Sequence, residues 1–162
     1  MFTKQEISKN KSEMYSSIKN QLKYLLEDVN DNTANLSNTS ALLNVYLKDI
    51  NWVGFYLYKN NELILGPFQG MPACTKIKIG NGVCGTAAKN LETLIADDVD
   101  SFPGHISCDS ASRSEIVVPI VINNTLYGVL DIDSPSLSRF DHGDKLGLES
   151  VIETLILNII ID

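Results

Sequence analysis

Residues 115–132 constrain the fold more than any other stretch of this chain. Residues 115–122 read as a β-strand, Asn123-Asn124 as a turn, and residues 126–132 as the returning strand. A second hairpin precedes it, with strands over 52–58 and 63–68 and a turn at Lys59-Asn60-Asn61. Gly66-Pro67 predicts an irregular end to the second of these strands. Two hairpins in one chain predict a mainly antiparallel sheet, and such a sheet must bury at least one face.

Helices supply the cover. Apolar residues recur at close to helical spacing over 4–29 (Ile7, Met14, Ile18, Leu22, Leu25, Leu26) and again over 35–48. Asp141 opens a last helix that extends to about residue 160. Between the hairpins lie a short strand at 76–79, a short helix at 82–90, another strand at 93–96, and a polar loop over 97–114. The expected class is α+β, with the terminal helices on one face of a central antiparallel sheet. The long middle segment is the only candidate to cover the other face, which leaves a ligand pocket beneath loops. A structureless loop as long as 97–114 is usually functional. At 162 residues the simplest organisation is a single domain: helices over about 4–48, sheet and loops over about 51–135, and a final helix over about 141–160.

Thirteen Lys and Arg against twenty Asp and Glu give a net charge of −7, which argues against nucleic acid as a partner. The first residues lack the apolar core of a secretory signal. No apolar run reaches membrane-spanning length. A cytoplasmic location is the expectation, and there cysteines are more often catalytic, redox-active or metal-binding than structural.

The chain has three cysteines, Cys74, Cys84 and Cys108, all in the irregular middle. An odd number cannot pair completely within the chain. Cys84 falls in Gly80-Asn81-Gly82-Val83-Cys84-Gly85, which fits the glycine pattern of a dinucleotide site. The following helix is too short for a crossover and no train of βαβ units follows, so a tight turn is the better reading. Cys84 then lies in the first turn of a helix, where the dipole favours a thiolate. A zinc set of Cys74, Cys84, His105 and Cys108 lacks a paired knuckle at its first half, and no metal is expected.

Trp52 and Tyr56 share one face of their strand. Asp131 and Asp133 share a face of theirs, together with Tyr127 and Val129, and Glu115 opens the partner strand. Singly, such strand-end acids would be solvated. A converging trio beside aromatics suits a small cation such as an ammonium.

Several long motifs resemble one family. They are the run 51–56 (NWVGFY), GPFQGMPAC ending at Cys74, GNGVCGTAA around Cys84, FPGHISCDSASRSEIVVPI over 102–120, and GVLDIDSP over 128–135. Together they resemble the free methionine-(R)-sulfoxide reductases, enzymes built on a GAF domain. The resemblance implies reduction of the R-epimer of free methionine sulfoxide by thiol attack, a sulfenic acid, an intramolecular disulfide and recycling by thioredoxin, with no metal or organic cofactor. It implies Cys108 as the attacking thiol, Cys74 as the preferred resolving thiol, and Cys84 as the second candidate for either role. Asp109 beside Cys108 disfavours a thiolate there. Glu115, Asp131 and Asp133 would hold the substrate ammonium, with Glu115 or Asp133 among the groups able to protonate the sulfoxide oxygen. Trp52 and Tyr56 would line the methylsulfinyl pocket. A homodimer is the implied assembly. The rival readings are a non-catalytic GAF module that binds a small molecule and signals, and a zinc-stabilised interaction protein.

Overall fold

The computed structural model describes residues 2–104 and 110–161. Its elements run α1 (Lys11–Leu25), α2 (Asn32–Tyr46), β1 (Trp52–Lys59), β2 (Glu62–Gly70), β3 (Lys76–Lys78), α3 (Gly82–Asn90), β4 (Leu94–Ala96), a 3-10 turn (Val99–Ser101), β5 (Ser114–Ile122), β6 (Thr125–Ser134) and α4 (His142–Ile156). The six strands form one antiparallel sheet in the order β3-β2-β1-β6-β5-β4. The two hairpins therefore meet at β1 and β6, in the middle of the sheet.

Each hairpin turns through two consecutive asparagines with positive φ, Asn60-Asn61 and Asn123-Asn124. Asparagine tolerates this left-handed backbone, and two such residues give the turn whose twist matches a hairpin. The irregularity expected at Gly66-Pro67 is present, but the second strand does not end at Phe68. It continues to Gly70, with a register shift opposite residues 54–56 of β1.

The sheet separates two cores. On one face α1, α2 and α4 bury Ile18, Leu22, Leu36, Leu43, Leu148 and Val151 against Val53, Phe55, Ile116, Leu130 and Ile132. On the other, α3 packs Val83, Cys84 and Ala87 onto Trp52, Tyr56, Val117 and Val129. Alternate residues of β1, β5 and β6 thus serve opposite cores, as a period of two demands. Residues 4–10 are not helical; α1 starts after Asn10, whose side chain accepts from the Glu13 N–H and caps it.

A buried carboxylate ties the helical layer to the sheet. Asp144, in the first turn of α4, accepts from Tyr15 Oη (2.8 Å), Lys11 Nζ (2.6 Å) and Arg139 Nη1 (3.2 Å). It also completes a reciprocal cap with Asp141. Arg139 in turn donates through Nε to the Lys48 carbonyl, just before β1. The charges on α1, α4 and the β6–α4 connection are therefore paired at one point.

Candidate active site

The site lies on the α3 side of the sheet, where the central ladder fixes its parts. Trp52 and Gly54 on β1 are in register with Asp133 and Asp131 on β6, and Tyr56 is in register with Val129. On the other side of β6, Asp133 is opposite Glu115 and Asp131 opposite Val117. Trp52, Tyr56, Glu115, Asp131 and Asp133 consequently share one face over three adjacent strands. The register alone explains how residues as far apart in the chain as Trp52 and Asp133 converge.

Tyr127 is a correction. Strict alternation puts it beside Asp131 and Asp133, yet it packs with the helical core on the opposite face. Ile120 pairs with Gly128 and Val121 with Leu126, so Tyr127 is the extra residue of a β-bulge, which flips the face. Leu126 takes its place on the α3 side.

Above the strands sits Cys84, third residue of α3. The preceding turn is closed by Gly80 N–H donating to the Gly85 carbonyl (2.7 Å) and Gly85 N–H to the Asn81 carbonyl (3.0 Å). Any side chain on Gly85 would strike the Lys78 carbonyl. The glycines thus serve a tight turn and a close approach. Cys84 Sγ donates to Glu115 Oε1 at 3.6 Å, and donor atoms of Cys84, Glu115 and Asp131 all lie within 4.8 Å of one another.

These three groups are buried, at 4%, 7% and 6% exposure, and no described lysine or arginine forms an ion pair with either carboxyl. Burial and the neighbouring charges of Asp131 and Asp133 push the Glu115 carboxyl well above the usual range. Burial pushes Asp131 up to about 6, opposed by hydrogen bonding to Cys84 and Glu115. The Cys84 thiol is pushed up as well, first by burial and then by the charges of Asp131 and Glu115. The helix start does favour a thiolate, but within about one turn such a dipole contributes roughly 0.3–1 kcal/mol. Desolvation beside two acids outweighs it. One oxygen of Asp131, Oδ1, is buried with no hydrogen-bond partner. The arrangement is short of positive charge and suits a cation that brings its own N–H donors.

The aromatic wall is a stack of three rings. Trp52 lies 5.8 Å from Tyr56 and 5.2 Å from Phe68, centroid to centroid, at interplanar angles of 23° and 15°. The sequence reading missed Phe68. Its signal was available, because Gly54 is the cross-strand partner of Phe68 and a glycine opposite an aromatic leaves room for the ring to lie flat. The register shift in the β1–β2 pair hid it. Asn51 was also unassigned by role. Its N–H donates to the Asp133 carbonyl (3.0 Å) and its Nδ2 to Ser112 Oγ (3.1 Å), fixing the chain where the polar loop rejoins the sheet.

Cys74 follows β2 and is disulfide-bonded, whereas Cys84 is a free thiol. A disulfide-bonded Cys74 offers no thiolate to the zinc set weighed above. Cys108, His105 and Asp109 lie outside the described residues.

Comparison with known proteins decides the family. The GAF domain profile matches residues 32–156. The free methionine-R-sulfoxide reductase of Escherichia coli is 47% identical over 146 residues, covering 90% of this chain and 88% of that protein. The chain belongs to the free methionine-R-sulfoxide reductase family, within the GAF-domain proteins. Another member, from Saccharomyces cerevisiae, is 50% identical over 129 residues, 75% of this chain and 72% of its own. The X-ray structure of the Neisseria meningitidis free methionine-R-sulfoxide reductase in complex with its substrate is 41% identical. It superposes with a TM-score of 0.91, covering 97% of this chain and 94% of that one. The expected α+β GAF fold is thereby established for this reductase-family chain. None of its described helices is long and apolar enough to cross a membrane.

Proposed function

We propose that this protein reduces free L-methionine-(R)-sulfoxide to methionine. The observation that carries this reading is the electron-rich floor: two buried carboxyls and a thiol, with Asp133 alongside and three stacked rings as a wall. An ammonium group can neutralise such acids, and an aromatic wall suits a methylsulfinyl group. The free amino acid meets both demands at once. A peptide-bonded residue lacks the free ammonium, so selectivity for the free amino acid follows.

In this reading Cys108 is the nucleophile. Its thiolate attacks the sulfoxide sulfur, a carboxylic acid gives its proton to the oxygen, methionine leaves, and Cys108 carries the hydroxyl as a sulfenic acid. The raised pKa of Glu115, pushed up by burial and by the charges of Asp131 and Asp133, supports it in the role of acid. Cys74 then displaces water from the sulfenic acid to form a disulfide, and thioredoxin, a dithiol reductant, regenerates both thiols. The bonded state of Cys74 supports it as the resolving thiol, and burial of Cys84 beside two acids argues against a leading part for that residue. The cycle needs no metal or organic cofactor. Assembly as a homodimer belongs to the same proposal and is read by sedimentation.

The test is coupled turnover with free L-methionine-(R)-sulfoxide, thioredoxin, thioredoxin reductase and NADPH. The expected result is one NADPH consumed per methionine formed, with no turnover of the S-epimer or of peptide-bound sulfoxide. NADPH consumption at background would overturn the reading and favour a ligand-binding sensor.

A further inference from the structure

Both aromatic residues assigned to the substrate wall spend their polar atoms elsewhere. Tyr56 Oη donates to the backbone carbonyl of Cys74 at 3.0 Å, and Trp52 Nε1 donates to the carbonyl of Met71 at 3.1 Å. The two donors stand four residues apart on one face of β1, so they reach roughly 13 Å along the strand. The two acceptors lie in the same short connection, residues 71–75 between β2 and β3, which has no regular structure. Leu65 N–H also donates to the Thr75 carbonyl of this connection, at 3.0 Å. Met71 is 65% exposed, so packing of its own side chain holds that end poorly.

We infer that Tyr56 and Trp52 are positioning residues for the resolving step: they hold the backbone around Cys74 where its thiol can reach the sulfenic acid. The inference rests on the proposed function, and specifically on Cys74 as the resolving thiol. The step is Cys74–SH plus Cys108–SOH giving the disulfide and water, with no further reductant. It is an intramolecular condensation, whose rate depends steeply on how well the two sulfurs are held together. Three features fit the assignment. Both rings are almost wholly buried, at 1% and 2% exposure, so they form a rigid base. Phe68 stacks on Trp52 from β2, the strand that leads directly into the connection. The Tyr56 hydroxyl is held in its protonated, donating form by burial and by the charges of Asp131 and the other nearby acids.

The experiment is a rapid-quench single turnover of fully reduced protein with substrate and without thioredoxin. Methionine, dimedone-trapped sulfenic acid and disulfide are each quantified against time. Tyr56→Phe keeps the ring and deletes the donor; Trp52→Phe keeps an aromatic ring in place and deletes the other donor. Each is expected to slow disulfide closure about tenfold more than it slows methionine release, so that sulfenic acid accumulates. A purely structural or substrate-wall role would slow both events by the same factor in both variants, and that result would overturn the inference. Unchanged closure in both variants would overturn it too. Cys74→Ser tests the underlying reading separately. Methionine release with no disulfide supports Cys74 as resolver, whereas a disulfide still forming in that variant removes the resolving role whatever Tyr56 does.

Discussion

Glu115 and Asp133 stand directly opposite each other across the β5–β6 ladder, on the face covered by Cys84 and α3. Like charges at a cross-strand pair are destabilising, and Asp131 adds a third carboxyl to the same face. Burial, joined by the charges of Asp131 and Asp133, pushes Glu115 well above the usual range, and burial pushes Asp131 up to about 6, so ionising these acids costs the folded protein free energy. The site is therefore built at the expense of stability and awaits a positive charge.

Neutralising one acid should separate stability from activity. Asp131→Asn in the unliganded protein is expected to raise stability by on the order of 2 kcal/mol at pH 8, a rise of several degrees in Tm for a chain of this size. Coupled turnover should fall at least tenfold. Thermal denaturation and steady-state kinetics on the same preparation check both halves.

The pH dependence has a definite sign. Asp131 has a folded-state pKa raised from 3.8 to about 6, so the folded state holds more protons than the unfolded state between those values. Its contribution to stability is complete below about pH 4 and is lost as pH rises through about 6. The stability gap between Asp131→Asn and the wild-type protein should therefore be widest near pH 8 and close towards pH 4. Urea denaturation of both proteins across that range reads the gap directly.

Cys84 should be unreactive in the folded protein. Its thiol is buried and pushed up in pKa, and the thiolate is the reactive form. Iodoacetamide at pH 7 is expected to leave Cys84 unmodified over the time in which it labels the thiol after denaturation. Peptide mass spectrometry distinguishes the cysteines. Prompt labelling of Cys84 in the native protein would contradict the picture of a closed site.

Much of this was legible in the sequence because it depends on local rules. Paired asparagines announced both hairpins, and alternation put Trp52 with Tyr56 and Asp131 with Asp133. The glycines around Cys84 gave α3 and its tight turn. What alternation could not supply was the effect of an inserted residue. The bulge at Tyr127 reversed one face, and the register shift in the β1–β2 pair concealed Phe68. The dipole argument for a Cys84 thiolate failed for a different reason: desolvation depends on the packed surroundings, and these come from strands thirty to fifty residues further along the chain.

Asp144 should be the most sensitive position outside the site. It is fully buried and collects Tyr15, Lys11 and Arg139. Asp144→Asn removes the charge that pairs two cations and breaks the α4 cap, and the expected loss is about 3 kcal/mol. Urea denaturation measures it. Arg139→Lys, which keeps the charge but cannot reach both Asp144 and the Lys48 carbonyl with a guanidinium fork, should lose less.

The central claim is that Cys108 attacks and Cys74 resolves, with Cys84 outside the exchange. A disulfide map by mass spectrometry tests it most directly, on fully reduced protein given one equivalent of free L-methionine-(R)-sulfoxide without thioredoxin. The account predicts one methionine per chain, a Cys74–Cys108 disulfide and Cys84 recovered as a thiol. Methionine formed together with a disulfide that contains Cys84 would contradict it.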